Sequence, residues 1–206
     1  MKAAAALRAT LAGIRRSLST HWQPALGAYP RLRTDDRFLL ELTILPSFAR
    51  RGEIRRTLFC GCAAYTQHYE DLFAGGEYWT IDPVVRRQRY GSAHHIVGKL
   101  EQLSQHDTDG PFDLIVCNGV LGWGINTPKE ADEALSACHR ALRPGGYLLL
   151  GWNDVFPRNR VKPEQIPALA RFEHTPFEAF GARVRVRGSG RHVFDFYRKP
   201  ADDPDH

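Results

Sequence analysis

The sequence predicts an α/β protein: a doubly wound, mostly parallel sheet with helices on both faces and a C-terminal antiparallel hairpin. Three observations carry that expectation. Between Thr57 and Leu150, short runs rich in β-branched and aromatic residues alternate with stretches of helical periodicity. Tyr147-Leu148-Leu149-Leu150 is apolar without alternation, as a strand covered on both sheet faces requires. Ala182 to Arg187 and His192 to Arg198 flank Gly188-Ser189-Gly190 in a hairpin pattern. A chain of 206 residues suits one domain, 1–206. We divide it into N-terminal helices (1–56), a core (57–154), and a C-terminal segment with the hairpin (155–199).

The elements follow in order. The first 34 residues hold no Asp or Glu, and Leu7, Leu11, Ile14 and Leu18 line one helical face. That face suits an amphipathic helix packed on the domain; a mitochondrial-type presequence is the rival, without an apolar h-region or clear cleavage signal. A loop spans Pro24 to Pro30. Asp35 or Asp36 is expected to cap a second helix through Phe38, Leu39, Leu42 and Leu45, which Pro46 should end or kink. Thr57 to Cys60 reads as the first strand, followed by Gly61. A helix from about Tyr65 to Phe73 should stop at Gly75-Gly76. Tyr78 to Ile81 is the second strand, ending at Asp82, and Pro83 suits the first position of the next helix. His95 to Val97 is a third strand and Asp113 to Cys117 a fourth.

The clearest helix starts at Thr127. With Glu130 it forms a capping box around Pro128, and Ala131, Ala134, Leu135, Cys138, Ala141 and Leu142 recur at helical spacing. Pro144-Gly145-Gly146 should end it. Residues 155–180 are Pro-rich with a short helix at most, and the tail from Pro200 is polar.

Composition narrows the function. Hydrophobic residues make up 43% and charged residues 25%, which indicates a folded protein. No apolar run is long enough for a membrane span. Cys60, Cys62, Cys117 and Cys138 form no CxxC pair, so no metal site is expected; they read as buried thiols of a reducing, cytoplasmic compartment. The net charge of +5 is spread over scattered arginines. Arg183, Arg185 and Arg187 alternate with Val184 and Val186, as on a solvent-facing strand edge. Nucleic-acid binding is therefore not expected, while the charge leaves an acidic acceptor open.

Ligands of open α/β sheets bind beyond the carboxyl ends of the strands. Three segments should meet there. Gly61-Cys62-Ala63 lets the backbone approach a ligand closely. Asp82 lies 21 residues after Gly61, one β-α-β unit on, followed by Pro83; its carboxylate can accept both hydroxyls of a ribose. Asn118-Gly119 follows the fourth strand. Each has a plain structural reading: a tight turn, a helix cap, a local turn. Their coincidence at the strand ends of one sheet favours a nucleoside site.

From about Thr57 to Asp154 the chain resembles the class I S-adenosylmethionine-dependent methyltransferases. Leu58-Phe59-Cys60-Gly61-Cys62-Ala63 is similar to the family's first motif, and Ile81-Asp82 to its second, whose acid holds the ribose. Phe112 to Leu121 is similar to the fourth strand and its loop, and Leu142 to Leu150, with Arg143-Pro144-Gly145-Gly146, is the most specific match. The resemblance implies S-adenosylmethionine as cofactor, held by Gly61, Cys62, Ala63, Asp82, Pro83, Asn118 and Gly119, and methyl transfer to a small-molecule acceptor. The chain departs from the pattern at Phe59, where an acid is usual, at Ala63 and Tyr65, where glycines are usual, and at Gly98-Lys99. The alternative is thus a non-catalytic binding module on the same fold. A nicotinamide dehydrogenase would want G-x-G-x-x-G, and Gly61-Cys62-Ala63-Ala64-Tyr65-Thr66 lacks it. Asn118 is not followed by two prolines and an aromatic, which argues against amino-methyltransferases of nucleobases or glutamine. Acceptor contacts are expected from Trp123, Trp152, Asn153 and Asp154, with His68, His94 and His192 as outlying candidates.

Overall fold

A computed structural model describes residues 34–186 and 191–202. The helix expected around Leu7 to Leu18, the Pro24 to Pro30 loop, the Gly188-Ser189-Gly190 turn and the end of the polar tail lie outside them.

The N-terminal helical stretch begins with α1 (Asp35–Leu39), continues as a π-helical turn over Leu40–Ile44, and closes with α2 (Leu45–Ala49). Two expectations are corrected here. Thr34, not Asp35 or Asp36, occupies the cap position, and both acids stand in the first turn, where the helix dipole favours negative charge. Pro46 does not end the helix. It has no N–H for the carbonyl four residues back, and the ladder widens by one residue just ahead of it, so that the Leu45 N–H reaches the Leu40 carbonyl.

The sheet follows from the alternation. Its strands are β1 (Arg56–Cys60), β2 (Glu77–Asp82), β3 (His94–Val97), β4 (Phe112–Asn118), β5 (Leu142–Asn153), β6 (Glu173–His174), β7 (Arg183–Arg185) and β8 (His192–Arg198). They run in the order β3-β2-β1-β4-β5-β8, with β6 and β7 sharing the outer edge of β8. The first five are parallel and β8 is antiparallel to β5. The expected hairpin forms as β7 against β8, with Arg183 opposite Asp195. β6, unforeseen in the Pro-rich segment, pairs Glu173 and His174 with Arg198 and Tyr197.

Strand alternation sends side chains into two cores. Leu58, Cys60, Ile115, Cys117, Leu148, Leu150 and Trp152 pack on the face covered by α4 (Pro128–Ala141). Phe59, Leu114, Val116, Leu149, Phe194 and Phe196 pack on the opposite face, under α1 and α2. All four thiols are buried and free; Cys117 Sγ lies 3.5 Å from Cys60 and 3.9 Å from Cys138.

Helix α4 forms as its sequence dictates. The Glu130 N–H donates to Thr127 Oγ1 at 3.2 Å, and the N–H groups of Asn126 and Thr127 donate to the Glu130 carboxylate. The helix stops at Ala141 without the Pro-Gly-Gly sequence. Pro144 to Gly146 instead forms an irregularity inside β5, where the register against β4 jumps between Phe112 and Leu114 and Gly145 adopts φ +73°. The helix expected over Tyr65 to Phe73 is shorter, a 3-10 turn (Ala64–Thr66) and α3 (Tyr69–Leu72). Pro83 does not start a helix; a 3-10 segment begins at Val85.

Candidate functional site

The carboxyl ends of β1, β2 and β4 and the first turn of α1 enclose a crevice of about 810 Å³, within the range of small-ligand sites. Gly61, Cys62, Ala63, Asp82, Pro83, Asn118 and Gly119 all line it. Gly61 carries the left-handed φ of +88°, with open space where a side chain would stand. That conformation favours glycine and leaves the backbone bare toward the crevice.

Asp82 is 1% exposed. Its carboxylate accepts the Cys62 N–H at 2.8 Å and the Val84 N–H at 2.8 Å, and Arg87 Nη1 approaches to 3.3 Å. The acid therefore pins the glycine loop to the end of β2. A carboxylate has about four acceptor positions, so room remains for a ligand hydroxyl. Beside it the Cys62 thiol is pushed up to about 12, by burial first and by the Asp82 charge second.

At the other end of the crevice three strands contribute a polar bridge. His192, at the start of β8, places Nε2 2.9 Å from Asn118 Oδ1 and Nδ1 3.0 Å from Asn153 Oδ1. Gly151 makes the space: a Cβ there would collide with Asn118 Oδ1. Burial pulls the His192 imidazole down to about 4, against a raising contribution from Asp36 and with a lowering one from Arg37. The ring is neutral near pH 7. A neutral imidazole donates through one nitrogen and accepts through the other, so one amide presents its NH2 to it.

Arg37 enters the crevice from α1. It is half-buried, donates to the Tyr69 hydroxyl at 3.0 Å and lies over the Tyr65 ring. Tyr69 in turn donates to Glu41 at 2.8 Å. No carboxylate lies within ion-pair distance of the Arg37 guanidinium among the described residues, although the group is directed into a cavity. Asp35, Asp36, Arg37 and Arg87 were not legible as site residues: α1 reaches the crevice only through its packing on the sheet, and Arg87 only through the 3-10 turn after β2 that folds it back to Asp82, and no local pattern announces either.

The acceptor candidates divide. Trp123 and Asn153 line the crevice. Trp152 is buried and donates its indole N–H to Asp195 at 2.7 Å; it lines only an adjoining cavity, and its polar atom is already used. Asp154 belongs to that second cavity of about 440 Å³, where it pairs with Arg185 at 3.2 Å and Lys162 at 3.5 Å. His68 lies near Glu41 and His94 stacks on Trp79; neither lines the crevice. Among the described residues no group of His, Cys, Asp or Glu is placed to hold a metal ion, and no helix is long and apolar enough to cross a membrane.

Comparison with known proteins gives these features a context. Residues 58–148 match the model of a methyltransferase domain. No curated protein matches the chain. Among solved structures, the N-methyltransferase NodS from Bradyrhizobium japonicum WM9 superposes with a TM-score of 0.59 at 21% identity, covering 81% of this chain and 98% of that one. Its complex with S-adenosyl-L-homocysteine gives 0.57 at 20% identity, covering 82% and 94%. A TehB-like SAM-dependent methyltransferase from Corynebacterium glutamicum ATCC 13032 gives 0.55 at 18% identity, covering 79% and 93%. Residues 58–148 thus match a methyltransferase domain, and the chain has the fold of the S-adenosylmethionine-dependent methyltransferases on which it superposes.

Proposed function

We propose that this chain transfers the methyl group of S-adenosylmethionine to a small-molecule acceptor in the cytoplasm. The observation that carries the reading is the crevice wall: a bare glycine turn at Gly61, pinned by the buried carboxylate of Asp82 and beside Asn118 at the end of the neighbouring strand. These residues suit the cofactor. Asp82 keeps an acceptor position for ribose hydroxyls. Arg37, without an acid partner among the described residues, lines the same crevice and suits the methionine carboxylate. It supplies polarity that Phe59, buried against Tyr69, does not. Bound there, S-adenosylmethionine supplies an electrophilic methyl on a sulfonium.

The chain's own residues then orient the reactants, which for an in-line displacement is a large part of catalysis. Asn118, held by His192, fixes a polar wall where the acceptor meets the crevice. Both His192 nitrogens are engaged by amides, which suits a positioning part better than a general base. The raised Cys62 thiol stays protonated, so this crevice sulfur does not compete as a nucleophile.

Calorimetric titration tests the reading. The parent should bind S-adenosylmethionine, and Asp82→Asn should weaken binding about tenfold or more, as expected for losing a charge-assisted hydrogen bond of about 1.5–3 kcal/mol. Asp82→Ala should weaken it further and also lower the melting temperature, because the Cys62 and Val84 N–H groups lose their acceptor. A folded parent without measurable affinity would instead identify a binding module that has lost the cofactor.

A further inference from the structure

Two features of the acceptor side remain unused by cofactor binding, and they coincide. The first is a surplus of cations. Arg158 and Arg191 line the crevice, and Arg160, Lys162 and Arg191 line the adjoining cavity. The acid in that second cavity, Asp154, is already paired with Arg185 and Lys162. Arg158, Arg160 and Arg191 make no ion pair with any described residue. The second feature is exposed aromatic surface. Trp123 is 65% exposed and Phe156 is 78% exposed, and each lies under one of these guanidiniums, Arg158 over Trp123 at 5.5 Å and Arg160 over Phe156 at 5.8 Å.

The arrangement is held by backbone. The loop carrying Trp123 and the loop carrying Arg158 touch so closely that a Cβ at Gly122 would collide with the Arg158 carbonyl. The Asp154 N–H donates to the Arg191 carbonyl at 3.0 Å. Arg191 holds φ +42°, an uncommon conformation for a residue with a side chain, and stands on the wall common to both cavities.

We infer that the acceptor is a small anion, an aryl or similarly planar molecule bearing a carboxylate or phosphate. The anionic group is held by Arg158 and Arg191 while its planar part lies on Trp123. This rests on the crevice being the methyl-transfer site. A guanidinium fork matches a carboxylate or phosphate in shape as well as charge, and an exposed indole beside it suits a planar body. Two cavities of small-ligand size, rather than an extended track of stacking surfaces, favour a small molecule over a nucleic-acid strand.

The test uses the full chain and indole fluorescence. Phenyl phosphate and benzoate should quench Trp123 emission saturably, with dissociation constants at least tenfold below that of benzyl alcohol, and affinity should fall as salt rises. The double variant Arg158→Gln, Arg191→Gln should lose at least tenfold affinity for phenyl phosphate at an unchanged melting temperature. Trp123→Phe should abolish the quench, with binding then followed by calorimetry. Equal affinity for benzyl alcohol, or an unaltered double variant, overturns the inference. So does tighter binding of decathymidylate than of phenyl phosphate, weakened by the same substitutions, which would mark a nucleic-acid face. S-adenosylmethionine titrations on the same preparations separate the two readings: a parent that binds phenyl phosphate but no cofactor defeats the methyl-transfer reading and leaves the anion site standing.

Discussion

At the scale of single residues, Asp82 shows how one side chain serves fold and site together. Its position at a strand end was legible, because an acid one β-α-β unit after a glycine turn coincides there with two other strand-end segments, Gly61 and Asn118. Its grip on the Cys62 and Val84 N–H groups was not, since it depends on how the turn folds back. His192 was visible only as one histidine among several. Its setting between Asn118 and Asn153 needs three strands in register, and no local signal encodes that. The setting has a measurable pH signature. In the unfolded chain the imidazole takes a proton near pH 6.5; in the fold it does so only at about 4. Between those values the unfolded state binds the extra proton, so stability falls as pH falls, by up to about 1.4 kcal/mol per pH unit. Urea unfolding of the parent should lose roughly 2 kcal/mol more between pH 6.5 and pH 5 than Asn-, Gln- or Leu-bearing variants at this site; identical losses in His192→Gln would refute it. Arg37 is tested by dissecting the ligand. If its guanidinium meets the methionine carboxylate, Arg37→Ala should cut affinity for S-adenosylmethionine roughly ten- to hundredfold, and leave affinity for 5′-methylthioadenosine, which lacks that carboxylate, unchanged. Calorimetry with both ligands decides it, and an equal loss for both would point to a folding defect rather than a contact.

At the scale of elements, strong local signals were the ones that survived. The Thr127 and Glu130 capping box placed the start of α4, because both of its hydrogen bonds close within four residues. The end of that helix was misplaced at Pro144-Gly145-Gly146. What meets its end is distant in sequence: the buried Lys199 ammonium donates to the His139 and Leu142 carbonyls at 3.0 and 3.1 Å. A cation at a helix C-terminus offsets both unpaired carbonyls and the dipole. Lys199→Met keeps the apolar stem and removes the donors; it should lower stability by about 1–3 kcal/mol, read as a lower urea midpoint with an unchanged slope. A midpoint equal to the parent's would mean that other groups satisfy those carbonyls. Pro46 and Pro83 were misread for the opposite reason. Proline states which hydrogen bond is missing, not how the neighbouring turn absorbs the loss, by a π turn in one case and a delayed 3-10 segment in the other.

At the scale of the whole molecule, the parallel core was legible because apolar runs and their spacing leave few topologies. The strand order around β8 was only half legible: its hairpin partner β7 is adjacent in sequence, whereas β6 is too short to register as a pattern. β8 nonetheless joins everything. It closes β5 on one edge, receives β6 and β7 on the other, carries the Asp195 carboxylate that anchors Trp152, and delivers His192 to the crevice. Synthesis runs from the N-terminus, so β1 to β7 have all left the ribosome's active centre before β8 is made. Until it arrives, β5 presents a bare, apolar edge and Asn118 has no imidazole to hold it. A nascent chain interrupted ahead of His192 is therefore both unfinished as a sheet and unable to complete the crevice, which makes synthesis of β8 the step that couples closure of the sheet to completion of the crevice.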